Sequence, residues 1–328
     1  MKFTVLIPLY NKAPYIRCTL ESVLAQNFRD YEILVIDDGS TDGGDMIVEG
    51  MSNDSIRLIR QTNAGVSAAR NRGIAEARGD WVSFLDADDW QHPDFLAALV
   101  MAQAAYPEAK TVGTDYLFIP HAEGAWPPRW SIPAGPPDIE HITDLFARWM
   151  LGPSICSSAV AVQRDLLQTM QPCFPLGESI GEDLDLWFRL AEKTPIALVR
   201  LPLAAYRRDV ASSLTTQHIN LTTAPFLQRI HDRTMSGLMT PAQRRSALGL
   251  LAQHEVSKAR FAARTGQRRT SLRGLIRGRH AVWSRRWWLT LVMTLVIPKQ
   301  LIRRFESWRI RRQNPLIQMT NTGSTYEM

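Results

Sequence analysis

Ile33-Leu34-Val35-Ile36-Asp37-Asp38-Gly39-Ser40 is an unbroken aliphatic run that passes at once into two acids, a glycine and a serine. Four aliphatic residues without polar alternation are the pattern of a strand covered on both faces, as in a parallel sheet. The same abrupt change occurs twice more nearby: Val5-Leu6-Ile7 runs into Pro8-Leu9-Tyr10-Asn11, and Trp81-Val82-Ser83-Phe84-Leu85 into Asp86-Ala87-Asp88-Asp89. Helical patterns separate these strands. One opens at Pro14 and repeats Ile16, Leu20, Val23 and Leu24; a second carries Val66, Ala69, Gly73 and Ala77; a third follows Pro93 with Phe95, Leu96, Leu99 and Val100. Strand and helix in alternation predict an α/β fold with a mixed, centrally parallel sheet flanked by helices. In open sheets of this kind ligands bind outside the carboxyl ends of the strands, so the three polar segments are expected to line one site.

Further along, residues 57–60, 112–119, 156–162 and 196–201 read as strands and residues 184–191 as a helix. The proline-rich stretch 126–137 reads as an insertion near a binding cleft. Beyond Pro225 the chain becomes helical and basic. The expected division is residues 1–225 as the α/β domain, 226–313 as a basic helical extension and 314–328 as a polar, frayed tail.

Of the 328 residues, 45% are hydrophobic and 21% charged, the balance of a folded globular chain. The net charge of +6 conceals an asymmetry: residues 229–312 hold 20 Lys and Arg against 3 Asp and Glu, so the remainder is net negative. Cys18, Cys156 and Cys173 have no metal-binding spacing and cannot all pair, which fits a reducing compartment. The apolar start is too short for a secretory leader, so the expected location is cytoplasmic. The histidines lack zinc spacing. Neither a Gly-x-Gly-x-x-Gly nor a Walker loop is present, against a dinucleotide oxidoreductase or P-loop kinase.

Asp86 and Asp88, two apart in a near-extended segment, project to one side. Paired hard oxygen ligands suit Mg²⁺ or Mn²⁺, which take their other ligands from water and substrate phosphates. The bland alternative is that the acids cap the helix after Pro93.

The surrounding text decides between these. From about Phe3 to Leu214 the sequence resembles glycosyltransferase family 2. The likeness is carried in order by Val5-Leu6-Ile7-Pro8-Leu9-Tyr10-Asn11, residues 32–42, Asn63-Ala64-Gly65 with Ala69-Arg70-Asn71-Arg72-Gly73, Phe84-Leu85-Asp86-Ala87-Asp88-Asp89, Gly181-Glu182-Asp183-Leu184-Asp185-Leu186-Trp187 and Tyr206-Arg207. The resemblance implies a GT-A (Rossmann-like) catalytic domain and an inverting, non-processive transfer from a nucleotide diphosphate sugar, typically of UDP, to an acceptor hydroxyl on a glycan or lipid-linked glycan. By the same resemblance Pro8, Tyr10 and Asn11 flank the nucleoside, and Asp38 bonds the base. Asn63, Gly65 and Ala87 line the donor, Asp86 sits near the ribose and donor sugar, and Asp88 is the main metal ligand. Arg70 approaches the nucleotide or its phosphates, Arg207 touches the diphosphate, and Asp183 is the general base. Glu182 and Asp183 also read as first-turn acids favoured by a helix dipole. Rival readings are a non-catalytic sugar-nucleotide or glycan binding module, against which the intact acids count, and a nucleotidyltransferase, whose glycine-rich loop is missing.

In the basic region, the apolar stretch 287–298 falls short of the roughly 20 residues a membrane span needs. Arg277, Arg279, Arg285 and Arg286 precede it, Lys299, Arg303, Arg304, Arg309, Arg311 and Arg312 follow, and Trp283, Trp287, Trp288 and Trp308 add amphipathic rings. Peripheral binding to an anionic membrane at its cytoplasmic face is the favoured expectation, ahead of a packed helical hairpin and well ahead of nucleic-acid binding.

Overall fold

The structure, a computed structural model, describes residues 1–120, 135–178, 180–208 and 224–296. Most of the proline-rich stretch and the cationic residues beyond 296 lie outside the described residues. The chain forms two compact units, Met1–Gln243 and Arg244–Met328.

In the first unit nine strands among the described residues form one mixed sheet. β1 (Phe3–Leu9) lies between β2 (Tyr31–Asp37) and β4 (Trp81–Phe84), parallel to both, and β3 (Ile56–Arg60) adds in parallel beyond β2. β4 is followed by antiparallel β8 (Val160–Gln163), then β6 (Thr111–Pro120), then β9 (Ile196–Arg208) parallel to β6. β5 (Trp90–Gln91) and β7 (Ile139–Ile142) pair antiparallel with different parts of β9. Every residue of β4 and nearly every residue of β1 and β2 is buried, as suits their largely apolar sequences.

Register brings the strand ends level. Leu9 stands opposite Asp37, Asp38 N donates to Leu9 O at 2.8 Å, and Leu85 N donates to Leu6 O at 3.0 Å. The polar segments therefore leave the sheet side by side. Helices α1 (Ala13–Leu24), α2 (Gly44–Gly50), α3 (Val66–Glu76) and α4 (Phe95–Ala105) follow the first strands. Short α5 (Leu145–Trp149) and α6 (Arg164–Gln168) precede α7 (Glu182–Ala191) and α8 (Pro225–Met235).

An aromatic cluster fixes α7 against the sheet. Phe84 on β4 meets Trp187 and Phe174 edge-on, each at 5.6 Å between centroids. Pairs of this kind add about 0.5–1.5 kcal/mol beyond the area they bury. α8 is held on α7 by Arg229 Nε on Asp185 at 2.9 Å and Arg233 Nε on Glu192 at 2.9 Å. These contacts carry the first unit past the boundary expected at residue 225. Within the stretch 156–162, read as strand, Ser157–Ala159 forms a 3-10 turn and extended pairing begins at Val160. The two serine hydroxyls there bond acids of the site, a demand no local pattern displays.

The second unit contains the rest of α9 (Pro241–Arg264), then α10 (Arg268–Arg277) and α11 (Arg285–Leu295). Val256, Ala259 and Leu275 form its small core, with Trp287 and Leu291 packed against it.

Candidate active site

Asp38 is the first acid beyond β2, and it is buried. Its carboxylate accepts from Gln61 Nε2 at 2.7 Å, Ala64 N at 2.9 Å and Gly65 N at 2.8 Å. It thereby pins the loop containing Asn63 and Gly65 over the strand ends. Gly39 makes this possible: its φ is +77°, and a Cβ would stand 3.0 Å from Asn63 N. Asn11 ties the first two strand ends together, accepting from Thr41 N at 2.8 Å. Pro8 and Tyr10 complete this wall, with Tyr10 on the rim.

The Asp86-Ala87-Asp88-Asp89 segment is held from behind by Thr19 of α1, whose hydroxyl donates to Ala87 O at 2.9 Å and Asp89 O at 2.8 Å. Asp89 turns inward, accepting from Ser158 Oγ and from Arg207 N at 2.9 Å. Its burial, next to Asp88 and Asp86, raises its pKa well above the carboxylate range. Asp86 and Asp88 face the cavity, each with a cation. Arg70 Nη2 lies 2.7 Å from Asp86 Oδ1, and Lys12 Nζ lies 2.6 Å from Asp88 Oδ2. Arg207 Nε donates to Asp88 O at 3.0 Å, its guanidinium 4.8 Å from the Tyr15 ring centre.

Arg70 also reaches across to α7, with Nη1 2.8 Å from Glu182 Oε1. Expected to approach the nucleotide or its phosphates, this arginine lines the cavity, bridges two carboxylates and is 4% exposed. Burial opposes its charge, but Asp86, Glu182 and Asp183 outweigh that and hold the guanidinium protonated. Glu182 is thus its partner, a role the sequence reading gave to no residue.

Asp183 follows on the first turn of α7. Gly181 caps that helix with φ +71°, which turns the acids toward the cavity. Asp183 Oδ1 accepts from Leu184 N at 2.8 Å and Oδ2 from Ser157 Oγ at 3.3 Å. Burial raises its pKa above the usual aspartate value, with Arg70 opposing. A carboxylate poised upward in this way is a better proton acceptor than an exposed one. The Cys156 thiol beside it is pushed well up, by burial first and then by Asp89, Asp86 and Asp183. It is a neutral part of the wall.

The site residues read from the sequence open on one cavity of about 930 Å³, of the size that takes a large ligand. Pro8, Tyr10, Asn11, Asp38, Asn63, Gly65 and Arg70 line it together with Asp86, Ala87, Asp88, Asp183 and Arg207, so every nominated residue is present. Lys12, Tyr116, Trp149, Ile155 and Phe226 line it as well and were not anticipated. Lys12 alone carried a local signal, a cation directly after the polar end of the first strand. The others arrive through tertiary folding.

The model of glycosyl transferase family 2 matches residues 4–169, half of the chain. The chain belongs to glycosyltransferase family 2. Glycosyltransferase GlyA of Streptococcus pneumoniae is 40% identical over 119 residues, 36% of this chain and 17% of GlyA. YibD of Escherichia coli, named as an uncharacterized glycosyltransferase, is 43% identical over 101 residues, 30% of this chain and 29% of YibD. The match therefore spans less than a third of either relative. Among solved structures, S. aureus TarS 1-349 in complex with UDP-GlcNAc superposes with a TM-score of 0.62 at 20% identity, covering 77% of this chain and 71% of TarS. That likeness shows the GT-A fold.

A divalent cation fits the residues present. Lys12 and Arg70 each engage one oxygen of Asp88 and Asp86 respectively, and both acids line the cavity. Among the described residues no cluster of three or more His, Cys, Asp and Glu forms a closed cage. Two carboxylates that leave the remaining ligands to substrate phosphates and water are the usual Mg²⁺ arrangement.

Proposed function

We propose that this glycosyltransferase moves a sugar from a nucleotide diphosphate donor, of the UDP class, to an acceptor hydroxyl by one in-line displacement with inversion. The observation that carries the reading is that the neighbours Asp86 and Asp88 meet Asp183, from a distant part of the chain, around one cavity. The UDP-GlcNAc held by the TarS neighbour supports a donor of this class.

Asp183 acts as general base, removing the proton from the attacking hydroxyl, and its raised pKa suits it to the task. Ser157 and the Leu184 amide orient its carboxylate. Arg70, clamped between Asp86 and Glu182, keeps the donor-side and base-side acids at fixed separation. Asp88 and Asp86 would hold Mg²⁺ or Mn²⁺, which supplies Lewis-acid stabilisation of the leaving diphosphate. Lys12 and Arg207 add positive charge at the same end. A leaving group that departs as an anion needs no general acid, and one base suffices. The acceptor is a glycan or a lipid-linked glycan, in building a cell-surface polysaccharide or glycolipid. The three free thiols support a cytoplasmic setting.

A panel of nucleotide sugars, each with Mn²⁺ or Mg²⁺, tests the donor class. One UDP-sugar should raise the unfolding temperature more than the other nucleotides, and a panel in which none stabilises the protein contradicts the proposal.

A further inference from the structure

Helix α11 is inverted for a helix in water. Thr290 and Thr294 are 0% and 1% exposed, whereas Trp288, Leu289, Val292, Leu295 and Val296 are between 45% and 70% exposed. With 3.6 residues per turn, those five lie within an arc of about 120°. The buried polar side needs no solvent. Thr290 Oγ1 donates to Arg286 O at 2.8 Å and Thr294 Oγ1 to Thr290 O at 2.7 Å, while Ser271 Oγ and Thr294 Oγ1 share a hydrogen bond at 2.6 Å. Trp287 Nε1 closes the contact on Leu275 O at 3.0 Å. Thr290 and Thr294, together with Trp287 and Leu291, thus pack α11 onto the core of the unit, and Trp288, Leu289, Val292, Leu295 and Val296 point away. A contiguous apolar face of this kind marks a surface that meets something other than water.

Charge identifies what it meets. Residues 256–296 contain no Asp or Glu. Arg268, Arg269, Arg273, Arg277, Arg285 and Arg286 are all exposed, and Trp283, just before α11, is 94% exposed. Nucleic acid would satisfy the arginines and leave the aliphatic face bare. A second copy of the chain would cover that face while setting two strongly cationic surfaces against each other. An anionic lipid surface satisfies both at once: acyl chains take the apolar arc, headgroup phosphates take the arginines, and tryptophan suits the boundary. No helix among the described residues is long and apolar enough to cross a membrane.

We infer that the second unit docks on an anionic bilayer through the outward face of α11, with Trp288, Leu289, Val292 and Leu295 inserted at the headgroup boundary. The inference goes beyond the transfer reading and does not depend on it.

The test is co-sedimentation of the full chain with phosphatidylglycerol-containing vesicles and with phosphatidylcholine vesicles. Binding should require the anionic lipid. It should fall by about tenfold or more in the triple variant Leu289→Gln, Val292→Gln, Leu295→Gln, since several buried methylene groups are lost. It should also fall in Arg285→Gln, Arg286→Gln. Should the triple variant fail to fold, Val292→Gln alone carries the same test at about a threefold reduction. Wild-type vesicle binding in a folded triple variant overturns the inference. So does sedimentation velocity showing a wild-type dimer that this variant turns into monomer, because a second copy would then cover the face. Transfer to a soluble acceptor should stay unchanged in these variants, which separates failure here from failure of the transfer reading.

Discussion

Replacing Arg70 by Met tests the clamp at the centre of the site. The guanidinium is 4% exposed and bonds Asp86 at 2.7 Å and Glu182 at 2.8 Å, the latter 9% exposed. Removing one member of a buried charge network leaves the others uncompensated, at a cost of about 3–5 kcal/mol. Asp86 is 27% exposed and relieves part of its penalty into the cavity, so the lower end, about 3 kcal/mol, applies. For a unit of this size that corresponds to a fall of about 6–12 °C in unfolding temperature. The loss should depend on pH with a definite sign. Burial already raises the Glu182 pKa and Arg70 opposes the rise. Without Arg70 the native state holds a proton that the unfolded chain releases, so stability falls as pH rises above the ordinary glutamate value. Below it both states are protonated and the deficit shrinks. Urea unfolding followed by circular dichroism at acidic and neutral pH measures both effects. The double variant Arg70→Met, Glu182→Met should recover part of the loss, because a packed apolar pair replaces an ion pair at little cost. A loss under about 1 kcal/mol that is equal at both pH values would refute the clamp.

The pH profile of transfer should show an acid limb above the ordinary aspartate range, activity falling as Asp183 gains its proton; a limb at the ordinary value would remove burial as the tuning force. Lys12→Met withdraws the ammonium 2.6 Å from Asp88, and a Mn²⁺ titration by calorimetry without nucleotide should find binding about tenfold tighter. Unchanged or weaker binding would mean that Asp88 is not where the cation sits. Gly181→Ala puts a Cβ 2.6 Å from Phe226 Cδ1 at φ +71°. It should cost about 1–3 kcal/mol in denaturant unfolding and lower transfer through displacement of Asp183.

The strands were legible where the chain is apolar on both faces. The changes after Ile7, Ile36 and Leu85 located three segments that hydrogen-bond register then sets level. Motifs named the acids but not their companions. Lys12 on Asp88, Glu182 on Arg70 and Ser157 on Asp183 join residues 76, 112 and 26 positions apart, and no local period encodes such pairings. Ser157–Ala159 departs from the strand expected there because its hydroxyls serve the site. Trp149 and Phe226 reach the cavity only because α5 and α8 pack on α7, with Phe188 stacked 4.8 Å from Phe146 and 6.4 Å from Phe226. In α11 the apolar residues were visible as a run, but which side of the helix they occupy depended on where Thr290 and Thr294 found partners.

The division of labour among the acids is tested most directly by calorimetric titration of Asp88→Asn and Asp183→Asn with a UDP-sugar and Mn²⁺, beside an assay of transfer. Asp88→Asn should lose Mn²⁺-dependent donor binding, whereas Asp183→Asn should bind donor and Mn²⁺ as the wild type does and form no product. Wild-type transfer by Asp183→Asn, or wild-type donor binding by Asp88→Asn, would contradict the account.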